Sequence, residues 1–181
     1  PLYTARELKH QLEDSGASVL VVMENFAATA QEILKETKIK QVITTSIGEM
    51  LGPKGLIINF MLKYVKQAIP AFDLPDSINF KSALSKGSKY TLPSISLRHE
   101  DIAFLQYTGG TTGVSKGAIL THKNIVANLT QAKEWLGDIV NQKQIVITPL
   151  PLYHIFSLTA NCFALSSVGA LNVLITDPRD I

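Results

Sequence analysis

The 181 residues are 46% hydrophobic and 18% charged, which is enough length and apolar content to bury a core and too balanced a composition for disorder. Lys and Arg total 17 against 15 Asp and Glu, so the excess positive charge that a nucleic-acid partner demands is missing and that class is excluded. The single cysteine, Cys162, sits in an apolar run and can build neither an internal disulfide nor a thiolate metal site, which fits a cytoplasmic setting.

The chain opens on Pro1 rather than methionine and carries no basic-then-apolar leader, so a portion of a longer protein is expected. Thr4 and Glu7 form a capping-box pattern ahead of Leu8 and Leu12, and Gly16 stands where such a helix would stop. Val19-Leu20-Val21-Val22 then reads as a buried strand. A second helix is expected from about Ala27 to Lys38, leading into a β-rich run over Gln41-Val42-Ile43-Thr44. Alternation of this kind predicts an α/β fold: a layered, largely parallel sheet flanked by helices.

Between residues 48 and 98 the glycines and prolines crowd, and an irregular connecting region is expected there. Inside it, residues 54–70 combine Leu56, Ile57, Phe60, Met61, Tyr64 and Val65 with Lys63 and Lys66. The segment is too short to span a bilayer. Two readings stand for it, contact with an anionic lipid surface or docking on a neighbouring part of the same protein, and its helical apolar stripe favours the second.

From Ile102 to Tyr107 a strand runs into a loop, and Ala118-Ile119-Leu120-Thr121 forms a second strand beyond it. Thr121 or His122 opens the next helix, with His122 read as helix capping, and Gly137 closes that helix. A strand over Ile145-Val146-Ile147 leads to the rigid run Pro149-Leu150-Pro151-Leu152-Tyr153-His154, which delivers His154 at a strand end, where α/β sheets hold ligands. Residues 155–175 carry no charge, but Asn161, Ser166, Ser167, Gly169 and Asn172 argue against a bilayer span; a buried helix, a break at Gly169 and a buried strand are expected.

The loop holds the chemistry. Tyr107-Thr108-Gly109-Gly110-Thr111-Thr112-Gly113-Val114-Ser115-Lys116-Gly117-Ala118 places four glycines, three threonines, a serine and a lysine within twelve residues. Glycines let successive backbone N–H groups converge on an anion. The hydroxyls of Thr108, Thr111, Thr112 and Ser115 add donors, and Lys116 adds a mobile charge. A polyphosphate suits such a loop. It is not a Walker A loop, because Lys116 follows Ser115 and precedes Gly117, and because the segment enters a strand rather than a helix. Nor does a hairpin turn require such length, a lysine and four hydroxyls.

This loop resembles the first signature of the adenylate-forming ligases, the superfamily of acyl-CoA synthetases and luciferases. The resemblance continues through Tyr3-Thr4-Ala5-Arg6-Glu7-Leu8, Leu120-Thr121-His122-Lys123-Asn124-Ile125 and Pro151-Leu152-Tyr153-His154-Ile155-Phe156, which are similar to the bacterial long-chain fatty acid CoA ligases. Phe104-Leu105-Gln106-Tyr107 and the segment from Asn172 to Ile181 resemble that subgroup as well. Gly109 and Ser115 depart from the wider pattern, where serine or threonine and proline are common, and read as subgroup features.

The resemblance implies a partial AMP-binding (adenylation) domain over residues 1–181, with the C-terminal domain absent. It implies ATP-dependent activation of a long-chain fatty acid through an acyl-adenylate, then thioester formation with coenzyme A. Aryl or medium-chain acids are the alternative substrates, and a non-catalytic nucleotide-binding fragment is the alternative for the chain alone. It further implies that residues 107–118 bind ATP, that Lys116 and His154 act catalytically, and that Thr108 lies next to Mg2+. Tyr153 and Phe156 would line the acyl or adenine side. The family's Tyr-Gly-x-Thr-Glu motif, ribose-binding aspartate and late lysine have no counterpart in this sequence, so residues 1–181 alone are expected to form no thioester. The implied location is cytoplasmic, with peripheral contact at the inner face of the membrane as an extension.

Overall fold

Residues 3–109, 113–137 and 143–175 are described by a computed structural model of the chain. They fall into two units. The first takes the described residues up to 95 together with 109 and 113–117; the second takes 96–108 and the described residues from 118 onward.

In the first unit, helix α1 (Ala5–Ser15) begins where the sequence says it should: Thr4 accepts from Glu7 N–H, the Glu7 carboxylate accepts from Thr4, and Gly16 ends the helix at φ 64°. Strand β1 (Val19–Met23) and helix α2 (Glu24–Ile33) follow, α2 starting three residues before the expected Ala27 and passing into a short 3-10 turn over Leu34–Glu36. Strand β2 (Gln41–Thr45) pairs in parallel with β1, and β3 (Ile78–Asn79) pairs in parallel with β2. Leu12, Val22, Ala27, Ala30 and Ile33 are buried together as the apolar core of this unit.

Two expectations change here. Val19 and Val21 are 50% and 54% exposed, so β1 alternates instead of being buried on both faces. The punctuated region contributes more regular structure than its composition suggests: α3 (Pro53–Phe60), a wide π-turn over Met61–Val65, β3, and α4 (Phe80–Gly87). Its glycines serve close packing. A Cβ on Gly55 would overlap the carbonyl of Gly48, and Asn59 clamps the same contact by accepting from Gly48 N–H at 2.8 Å and donating to Ser46 at 2.7 Å. Buried Glu49 ties the end of β2 to α4, accepting from the Thr45 hydroxyl, Ser46 N–H and Lys81 N–H.

Strand β4 (Ile102–Thr108) lies in the second unit, as does β5 (Lys116–Thr121) from Ala118 onward, and the two strands are hydrogen-bonded neighbours. Thr121, not His122, caps α5 (His122–Leu136): its hydroxyl accepts from Asn124 N–H while the Asn124 carbonyl oxygen accepts from Thr121. His122 is the first helical residue, and its N–H donates to Asp101 O. Strands β6 (Ile145–Thr148) and β7 (Leu171–Leu174) pair in parallel, joined through α6 (Ile155–Ser157) and a π-helix over Leu158–Leu165 that packs on α5. The break at Gly169 is present, at φ 77°. The strand after it is not buried: Leu171 and Leu174 are 60% and 57% exposed. Among the described residues no helix is long and apolar enough to cross a membrane.

Candidate nucleotide site

Of the loop's described residues, Gly109 and 113–117 belong to the first unit, while Tyr107 and Thr108, which end β4, and Ala118 of β5 belong to the second. Gly110, Thr111 and Thr112 lie outside the described residues. Gly113 takes φ 85°, a left-handed conformation that a side chain would oppose, and so turns the chain toward Ser115. Thr108, Gly109, Gly113, Val114, Lys116 and Ala118 are exposed, while Tyr107, Ser115 and Gly117 are half-buried. An open cavity of about 550 Å3 faces this segment, walled by Thr4, Arg6, Glu7 and His10 of the α1 end and by Gly113, Val114 and Ser115. The backbone and hydroxyl of Thr4 hold the Glu7 carboxyl below the usual carboxylate range, so it stays ionised. The His10 Nε2 lies 2.9 Å from the carbonyl oxygen of Ser115.

His154 stands in the second unit, exposed at the N-cap of α6. Its N–H donates to Pro151 O at 2.9 Å, and its Nδ1 accepts from Phe156 N–H at 3.3 Å. With Nδ1 committed as acceptor, this hydrogen bond assigns the neutral ring's proton to Nε2, which leaves Nε2–H as an outward donor. Tyr153 and Phe156 are exposed, and Phe156 lines an apolar cavity of about 400 Å3 with Ile155, Thr159, Ala160, Asn128 and Ala132.

The segment after His154 joins a polar network of which the sequence singled out only Asn161, Ser166 and Asn172, as arguments against a bilayer span. Ser157, wholly buried, donates from its hydroxyl to Leu150 O at 3.1 Å and also lies 3.3 Å from Asn161 Oδ1. Asn161 Nδ2 donates to Thr148 Oγ1 at 3.0 Å, and Thr148 donates to Asn172 Oδ1 at 3.0 Å. Asn172 Nδ2 and the Ser166 hydroxyl both donate to Asn161 O. Two strands, the π-helix and the turn before His154 are thereby joined. The one signal available beforehand was the spacing of Ser157 and Asn161, one helical turn apart in an uncharged apolar run. No local signal pairs His10 with a residue 105 positions away.

Parallel strands with crossover helices, and a glycine-containing segment joining β4 to β5, define an α/β class of protein. The chain belongs to the AMP-binding enzyme family, whose model matches residues 1–181. Over its whole length it is 51% identical to a long-chain-fatty-acid--CoA ligase of Escherichia coli O6:H1 and 50% identical to that of Salmonella typhimurium. It spans 33% of each of those proteins. In fold it is similar to the crystal structure of a long-chain-fatty-acid-CoA ligase from Archaeoglobus fulgidus, with a TM-score of 0.59 at 24% identity over 96% of this chain and 29% of that one. The adenylate-forming fold expected from the motifs is therefore correct.

Proposed function

We propose that the whole protein activates a long-chain fatty acid with ATP and passes the acyl group to coenzyme A. The observation that carries this reading is the half-identity along the entire chain to ligases of that activity. In the first step a carboxylate oxygen bonds to the α-phosphorus of ATP, the α–β phosphoanhydride bond breaks, and pyrophosphate leaves. In the second the coenzyme A sulfur bonds to the acyl carbon, the bond to AMP breaks, and the thiol proton is lost.

In this reading the exposed Lys116 and the amides around Gly113 meet the charge that builds on departing pyrophosphate. His154 donates from Nε2 to an α-phosphate or carboxylate oxygen, and the apolar cavity beside Phe156 supports an acyl side there. Thr108 offers one exposed hydroxyl oxygen, which fits an ion that keeps water and takes most of its ligands from phosphates. Thr108 would be a residue holding Mg2+, which would supply neutralisation of phosphate charge.

Pyrophosphate exchange into ATP, driven by a panel of carboxylic acids, tests the reading. Long-chain fatty acids are expected to drive it, and exchange with aryl acids alone would refute the substrate assignment. Lys116→Ala in the whole protein is expected to slow adenylation by about a hundredfold with the fold intact. We also propose peripheral contact with anionic lipid through the α3 segment, where Leu56, Ile57, Phe60, Tyr64 and Val65 are 59–72% exposed beside Lys63 and Lys66. Co-sedimentation of the whole protein with phosphatidylglycerol vesicles is expected, and its absence would end that assignment.

A further inference from the structure

We infer that His10 is a positioning residue for the phosphate-binding segment, an assignment that rests on the reading of residues 107–118 as a nucleotide loop. A carbonyl oxygen only accepts, so the 2.9 Å contact requires a proton on His10 Nε2, a condition met by the imidazolium and by one neutral tautomer alike. The bond is half-buried and joins residues far apart in sequence but within one unit. Its target is the peptide between Ser115 and Lys116.

That peptide is planar and trans, so fixing the Ser115 carbonyl also fixes the direction of Lys116 N–H and the point from which the lysine side chain departs. The need for such a pin follows from the composition of the loop. Glycine-rich backbone loses much conformational freedom when ordered, and donors stabilise a transition state best when they are already in place. His10 is suited to this because it sits in the middle of a helix that is closed at both ends, by the Thr4–Glu7 capping box and by Gly16, and is packed against α2. The helix supplies a rigid reference and the ring reaches from it to the loop.

The test uses the whole protein with His10→Ala and His10→Gln, assayed by pyrophosphate exchange with a long-chain fatty acid. Glutamine carries a side-chain N–H at nearly the reach of Nε2. His10→Ala is expected to lower kcat/KM for ATP about fivefold, the worth of one net hydrogen bond, with KM for the fatty acid unchanged. His10→Gln is expected to recover to within about twofold of the parent. Parent-like kinetics in His10→Ala, an equal loss in His10→Gln, or an equal rise in KM for the fatty acid would each overturn the inference. Lys116→Ala separates the layers: if it adenylates normally, the nucleotide-loop reading itself falls, whereas a slow Lys116→Ala beside a normal His10→Ala removes only the role of His10.

Discussion

Two candidate site regions rest on different kinds of interior. Under α1, which walls the loop cavity, the buried residues are Leu12, Val22, Ala27, Ala30 and Ile33. Under the turn that carries His154, they are Thr148, Ser157 and Asn161, with Ala164 the apolar one. Apolar burial is non-directional, so the first region can absorb a small change by local rearrangement. Hydrogen bonds in a dry interior are directional and interdependent, so the second holds one geometry or loses it as a unit. The loop region then needs a specific pin, which His10 supplies, while the His154 region has direction built into its core.

Asn161→Ala puts the largest strain on this comparison. It strips the donor from Thr148 and a neighbour from Ser157, and leaves the amide of Asn172 with fewer partners. The expected loss is about 3 kcal/mol in urea denaturation of the purified protein, because buried polar groups left unpaired cost far more than the bond itself returns. The matched change in the other region is Ile33→Val, which removes one methylene from an apolar core and is expected to cost about 1 kcal/mol. Equal losses in the two variants would erase the distinction between the regions.

What was legible beforehand was local. Thr4 with Glu7, Gly16, Thr121 and Gly137 marked helix ends because capping chemistry lies within a turn of the residue that performs it. The connection from β4 to β5 was legible for the same reason, as adjacent residues of unusual composition between two β-rich runs. The rest depends on partners distant in sequence. Strand β3 is two residues long and is defined by Ile43 and Thr44, more than thirty positions earlier. Gly48 and Gly55 look like punctuation in the sequence, yet they permit one backbone to rest on another. Asn161 counts only against a bilayer span until Thr148 and Asn172 are placed beside it.

Glu49 gives the smallest effect and tests whether the loop-bearing unit also has a directional element. Burial raises the Glu49 carboxyl, but the Thr45 hydroxyl and the N–H groups of Lys81 and Ser46 outweigh it, so the group is held below its ordinary range. A carboxyl held low when folded binds its proton more tightly in the unfolded chain, so its contribution is complete above the ordinary carboxylate range and is lost as pH falls through the lowered value. The stability gap between the parent and Glu49→Gln should therefore be widest near neutral pH and narrow in acid. Urea midpoints at several pH values measure it. A gap that stays constant with pH would show that Glu49 acts by shape alone.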